Sequence, residues 1–398
     1  MRIQLLLTDD WELRGDGSGD MRALQFENIR KLIDIYERYG MRGTFMVEVM
    51  QQLRHLEFGE RHSELKALAW EWEEVVREVY RRGHDVQLHV HPQWLDARYV
   101  KGIWQLSRKW SILDFTAAQM RAMLRECKRY LENLLRAEHP TYECVLFRSG
   151  AWCAAPNDHL MSLLADIGIR FDLSIVSGLC YDLEAVRLDY REVEEPFLPY
   201  YPNMRDARRV ADSIAPIVCV PTHSVRPDSH VVLANWMSYL ATKFPPAMLP
   251  QVGRDNLLAP SAKQTSANGA TQNYVKRWRT ARSRSLREKI RAYFSSISYR
   301  SNPASSLSAL SYAQMKNVLR DIRRRAAESG WPVVPIVLAN HTKDIGDFKP
   351  IEKFCAYLRE VHEIEVITSK ELLQNFCKGV YPINVRRQAR ESVALTAR

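Results

Sequence analysis

Three short polar motifs in this chain carry residue types that together do hydrolytic chemistry. They are Thr8-Asp9-Asp10, His89-Val90-His91-Pro92 and His341-Thr342-Lys343-Asp344. Each begins where an apolar, strand-like run stops: Leu5-Leu6-Leu7, Val86-Gln87-Leu88 and Pro335-Ile336-Val337-Leu338. Polar residues at the carboxyl ends of separate parallel strands converge on one mouth of an α/β barrel. One Asp and two His make a three-ligand metal site with a position open for water. The second Asp and the third His are then free for acid–base work. The chemistry these residues imply is metal-dependent hydrolysis.

Each motif also has a plainer reading. Adjacent Asp9 and Asp10 point to opposite faces of an extended strand, and Asp-Asp at a strand end is also an ordinary turn. If the strand bends there into a loop, both carboxylates reach the same mouth. His89 and His91, at i and i+2, share one face of a strand; otherwise they are two exposed histidines before a turn at Pro92. Arg148, after the run Cys144 to Phe147, suits a bidentate hold on the base carboxylate. Gly150 permits close backbone approach, and Trp152 offers a ring for a sugar to stack on. His341 suits protonation of a leaving amine or alkoxide, with Asp344 or Asp172 to orient it. Tyr200, Tyr201 and Asn203, beside His223, are candidates to line a substrate groove. His84 precedes its strand and belongs at the opposite barrel end, in a structural role.

The elements that must position these residues alternate. A helix over 19–39 has Ile29, Leu32, Ile33 and Tyr36 on one face and ends at Gly40; a strand over 43–47 follows. Helices over 61–82 and 116–137 precede strands over 85–88 and 144–147. A helix over 160–165 closes at Gly168 before Ile169 to Phe171. Such alternation predicts a parallel sheet covered by helices. The rhythm stops after residue 175, leaves a short strand over 217–220, and returns with a helix over 311–329. A strand over 333–338, a helix over 351–361, a strand over 364–366 and a helix from Ser369 complete it. The expected fold is α/β: a distorted (β/α) barrel of about seven parallel strands, from residues 1–225 and 305–380. A large basic insertion over 226–304 interrupts it, and a tail over 381–398 follows.

Composition sets the outer limits. The chain has 398 residues, 46% hydrophobic, and a formal charge of +10. Residues 254–303 hold eleven Lys/Arg against two acids, so nearly all the excess lies in the insertion. No run of about 18 apolar residues suggests a membrane span. Ile3 to Leu7 follows Arg2 directly with no secretory pattern, so a cytoplasmic protein is expected, at most peripheral to the inner face of the membrane. Seven cysteines without a CxxC pair predict reduced thiols.

The motifs resemble those of the polysaccharide deacetylase superfamily, carbohydrate esterase family four and its relatives. Thr8-Asp9-Asp10 is similar to its first motif, which implies Asp9 as catalytic base and Asp10 as metal ligand. Gly83-His84-Asp85-Val86-Gln87-Leu88-His89 resembles the Gly-His-Glu-Ile-Gly strand, which makes His89 a metal ligand with His91 its partner. Arg148 matches the Arg that braces the base, Leu338 and His341 resemble the Leu-x-His motif of the general acid, and Asp172 falls near a fourth motif. The chain departs from the pattern at Trp11, where Gly is usual, in the two-residue His spacing, and in an Arg motif without its Pro. These departures resemble divergent members with a His-x-His-Pro signature, associated with cell-surface polysaccharide biosynthesis. The resemblance implies a divalent metal, zinc first by its Asp/His ligands, and an N-acetylated sugar substrate, carried on a polymer, a lipid or a nucleotide. Trp152, Asp172 and Tyr201 are the expected substrate contacts.

Two other classes compete. The stretch from Lys276 to Arg291 interleaves eight Lys/Arg with Trp278, Leu286 and Ile290. It suits phosphates or an anionic membrane surface, or nucleic acid bound by a degenerate barrel acting as a scaffold. Glycoside hydrolysis, with Asp9 and either Glu12 or Asp172 as its carboxylates, leaves the His pair unexplained.

Overall fold

The computed structural model describes residues 1–183, 185–224 and 306–386. The basic stretch over 276–291 and the insertion around it lie outside the described residues. Eight parallel strands form the main sheet: β1 (Arg2–Trp11), β2 (Thr44–Glu48), β3 (Asp85–Val90), β4 (Leu146–Ser149), β5 (Phe171–Asp172), β6 (Val218–Cys219), β7 (Val333–His341) and β8 (Ile364–Val366). Their order is β6-β5-β4-β3-β2-β1-β7. Seven strands thus make the wall of a distorted (β/α) barrel. The eighth, β8, pairs with Ile3 to Leu5 of β1, below the level where β2 pairs with Thr8 to Trp11. The circle closes just past β6: Thr222 bridges Val337 of β7, and the His223 N–H donates to the Val337 carbonyl at 2.8 Å.

Among the described residues the α-helices are α1 (Asn28–Arg38), α2 (Val49–Gly59), α3 (Ser63–Arg81), α4 (Ala117–Arg136), α5 (Leu160–Asp166), α6 (Tyr312–Ser329), α7 (Lys349–Glu360) and α8 (Ser369–Cys377). Reciprocal capping boxes start α4 (Thr116 with Gln119), α6 (Ser311 with Gln314) and α8 (Thr368 with Glu371). Gly330, at φ +70°, stops α6 in the left-handed region. The expected 19–39 helix begins as a π-helical turn, Arg22–Glu27, and continues as α1. Where the rhythm stops after residue 175, two antiparallel hairpins follow, Cys180–Leu183 with Val186–Asp189 and Pro202–Asn203 with Asp206–Val210.

Strand alternation sorts the core into two layers. Ile3, Leu5, Leu7 and Trp11 of β1 pack outward against the helices. Leu6, Met46, Leu146, Phe171, Val218 and Val337, one from each of six strands, fill the interior. Leu372 of α8 and Tyr381 join that interior cluster, so α8 plugs the end of the barrel where the strands begin. Asp85, the first residue of β3, accepts from the backbone N–H of Ser369, the first of α8, at 3.1 Å. The described part of the C-terminal tail is also seated: the Asn384 carbonyl accepts from Tyr201 N–H at 3.0 Å, and Arg386 pairs with Glu194 at 2.7 Å.

Gln87 is the polar joint of this plugged end. Its Oε1 accepts from the backbone N–H groups of Val145 and Leu146, both at 2.8 Å, and its Nε2 donates to Ser369 Oγ at 3.0 Å. Replacing it with Leu strands two buried N–H donors, each costing about 1–3 kcal/mol. Gln87→Leu is therefore expected to destabilise the fold by about 3 kcal/mol, read from the urea midpoint; a loss within experimental error would show the joint to be dispensable.

Candidate metal centre

β1 stays extended through Trp11, so Asp10 and Glu12 fall on its inner face, two residues apart. His89 and His91 leave β3 with the same spacing on the same side. Glu12 Oε2 lies 3.5 Å from His89 Nε2 and in direct contact with His91 Nε2, and the two Nε2 atoms are 2.9 Å apart. All three residues are buried, and the two imidazoles face Glu12 Oε2. Three lone-pair atoms converging within 4.8 Å in the interior suit a cation better than one another. Two imidazoles and a carboxylate are a donor set for zinc or a similar divalent ion, with further coordination positions open. Asp10, Glu12 and His341 form a second such group sharing Glu12.

The groups behind the ligands set their orientation. His89 Nδ1 lies 2.8 Å from the Arg148 carbonyl. Donating its proton there turns the Nε2 lone pair into the site. The Gln93 amide nitrogen lies 2.9 Å from His91 Nδ1, while Gln93 Oε1 is buried without a partner. Turning that amide by 180° changes nothing in its shape and gives Oε1 the His91 Nδ1–H, which directs His91 Nε2 to the same point. Gly150 passes so close that a Cβ there would sit 2.8 Å from the Val90 carbonyl and 2.9 Å from His91 Cγ.

Asp10 stands beside this cluster, ion-paired to the fully buried Arg148. The guanidinium also donates to Thr8 Oγ1 at 2.7 Å and lies 5.0 Å from the Trp152 ring. Ala151 and Trp152 take φ values of +51° and +63°, a conformation that costs about 1–2 kcal/mol per non-glycine residue. That turn brings the Trp152 ring within 6.1 Å of His341. His341 Nδ1 lies 3.1 Å from Ser306 Oγ, and its Nε2 lies 3.5 Å from Asp10 Oδ2. Lys343 Nζ donates to Glu12 Oε1 at 2.6 Å.

Burial alone would raise the Glu12 pKa, but the Lys343 charge and the two imidazoles hold it well below the usual carboxylate range. His89 goes the other way from most buried histidines. Burial disfavours its charge, yet Asp10 and Glu12 raise it to about 9. The same negative field attracts a metal cation. Burial lowers His91 and His341.

The structure thus brings together Asp10, His89, His91, Arg148, Trp152 and His341. It does not bring Asp9, Asp172 or Tyr201 to them. Because β1 does not bend at the Asp pair, Asp9 faces the helices, where Tyr36 donates to its Oδ2 at 2.8 Å and Asn340 to its Oδ1 at 2.7 Å. Both carboxylate oxygens are thereby occupied away from the mouth. Phe171 and Leu173 belong to the interior cluster, so Asp172 between them faces outward and accepts from Ser174 Oγ at 2.6 Å. Tyr201 packs at the plugged end with Phe376, Val380 and Ile383. The orienting partners of His341 are Ser306 and Asp10, in place of Asp344 or Asp172. His84 sits at the opposite end as expected, with its Nδ1 accepting from Gly43 N–H at 3.0 Å. Sequence reasoning did not group Glu12 with the histidines, although the spacing Asp10-x-Glu12 repeats that of His89-x-His91. Ser306 carried no local signal.

No protein-family model matches the chain, and no curated protein does. Among solved structures, it is similar to a Mycobacterium smegmatis protein assigned as a polysaccharide deacetylase, with 14% identity over 97% of this chain and 94% of that one and a TM-score of 0.45. A Pseudomonas aeruginosa protein with the same assignment gives 13% identity over 95% and 91%, at 0.44. PuuE allantoinase gives 11% over 95% and 91%, at 0.45. Likeness this distant decides nothing about the chemistry, which rests on the residues.

Two outcomes follow from the geometry. Burial, partly offset by the Asn340 and Tyr36 hydrogen bonds, raises the Asp9 pKa from 3.8 to about 6. Between those values folding takes up a proton, so the contribution of Asp9 is largest below about pH 4 and is lost as pH rises through 6. Asp9→Asn is expected to flatten the stability profile over pH 4–6 in urea titrations; an unchanged slope would refute this. Gly150→Ala, by displacing His91, is expected to weaken zinc binding about tenfold or more, measured by competition with a chromogenic chelator.

Proposed function

We propose that this chain is a metal-dependent hydrolase of the polysaccharide deacetylase type, removing the N-acetyl group from an amino sugar of a surface polysaccharide or its precursor. One observation carries the reading. An open Glu12/His89/His91 ligand set lies beside an arginine-paired carboxylate, Asp10, and a histidine, His341, whose Nε2 faces the same point.

Amide hydrolysis needs a deprotonated water, a stabilised oxyanion and a proton for the departing amine. Glu12, His89 and His91 would hold a divalent cation, zinc first by its donors, which would supply Lewis acidity toward water and the acyl oxygen. Asp10 is the base, aimed by its ion pair with Arg148, whose guanidinium is itself held by Thr8 and Trp152. Asp10 thus takes the role expected of Asp9, and Glu12 takes the ligand role expected of Asp10. His341 is the acid: Ser306 engages Nδ1, which leaves Nε2 to carry the proton to the amine. Trp152 walls the site next to both groups.

The reading is tested by elemental analysis of the purified protein and by acetate release from N-acetylated oligosaccharides after zinc or cobalt reconstitution. Glu12→Gln and His89→Ala are expected to lose the metal. Asp10→Asn should retain it while turnover falls about 10²–10⁴-fold. New reducing ends without acetate would favour glycoside hydrolysis, and absence of metal after reconstitution would end the metallohydrolase reading.

A further inference from the structure

Glu12 offers two oxygens, and the structure treats them differently. Oε1 receives Lys343 Nζ at 2.6 Å, while Oε2 faces His89 Nε2 at 3.5 Å and His91 Nε2 in contact. The Lys343 and Glu12 side chains are only 16% and 4% exposed, so water competes little for the pair. Lys343 does not reach Glu12 by chance of a long surface chain. It follows β7 in the turn Thr342–Asp344, which is fastened on both sides: Thr342 Oγ1 donates to the Asp10 carbonyl at 3.1 Å, and Asn28 Nδ2 donates to the Thr342 carbonyl at 2.8 Å.

We infer that Lys343 is a positioning residue that keeps Glu12 a one-oxygen metal ligand, occupying Oε1 and leaving Oε2 for the cation. The inference deepens the metal reading above and rests on it. A lysine suits this task for a geometric reason. Its ammonium is a compact point donor that satisfies one oxygen, whereas the planar fork of an arginine matches both oxygens of a carboxylate at once. The charges agree with that division. Before any cation arrives, Asp10 is balanced by Arg148 and Glu12 by Lys343, so two buried carboxylates are tolerated in a preformed site.

The test is cobalt binding to the intact protein, followed by equilibrium titration and by the visible absorption of bound cobalt, which reports coordination geometry independently of turnover. Lys343→Met is expected to weaken binding about 10–100-fold and to shift the spectrum toward higher coordination as Oε1 joins the metal. Lys343→Arg is expected to weaken it at least as much, because the fork covers Oε2. Lys343→Gln, whose amide NH2 keeps an uncharged donor for Oε1, should lie nearer the wild type and serves if the Met variant does not fold. Wild-type affinity and spectrum in Lys343→Met, or restoration by Lys343→Arg, would overturn the inference and leave the metal reading intact. A wild-type protein that binds no cobalt would overturn both.

Discussion

Two carboxylates, Asp10 and Glu12, are all but completely buried at the end of one strand, and a buried charge persists only where opposite charge and hydrogen bonds meet it. That constraint organises the mouth of the barrel. Arg148 comes across from β4 to Asp10, Lys343 from beyond β7 to one oxygen of Glu12, and the β3 histidines to the other. Each cation in turn must be fixed: Arg148 by Thr8 and Trp152, Lys343 by a turn tied to β1 and α1. The left-handed backbone at Ala151 and Trp152 belongs to the same arrangement, since it sets the Trp152 ring against both Arg148 and His341.

The neighbouring acid, Asp9, does different work because a strand gives adjacent side chains opposite faces. On the helical side it ties three elements together: its own strand, β7 through Asn340, and α1 through Tyr36. Asn340 also accepts from the Ser308 backbone N–H at 2.9 Å, which anchors the segment carrying Ser306. The register of β1 with β7 then sets Asp10 beside His341. Through these contacts Asp9 helps hold Asp10 and His341 side by side. At the other end, Gln87 and α8 close the barrel, so the polar strand ends and the apolar plug divide one interior between them.

Much of this was legible in the residues. Helical periodicity and the glycines that end helices marked the βα alternation, and polar residues at strand ends marked the mouth. The i, i+2 spacing put His89 and His91 on one face, and Arg148 and His341 stood where strands stop. Other features were not legible. The closure through Thr222 depends on a segment with no strong β pattern, and the two hairpins after residue 175 break the rhythm without announcing what replaces it.

What the sequence by itself determined is which residues share a face and which end of an element they occupy, because both follow from local periodicity and from turn residues nearby. Only the tertiary structure decided which face is the inside. Asp9 and Asp10 are indistinguishable until it is known that β1 runs straight to Trp11 and that α1 covers its odd-numbered side. That single fact puts Asp10 and Glu12, and not Asp9, on the face that His89 and His91 share. It places Asp172 and Tyr201 elsewhere by the same logic. Lys343 and Ser306 meet Glu12 and His341 across 331 and 35 residues of chain, and contacts of that kind are set by packing, on which local sequence is silent.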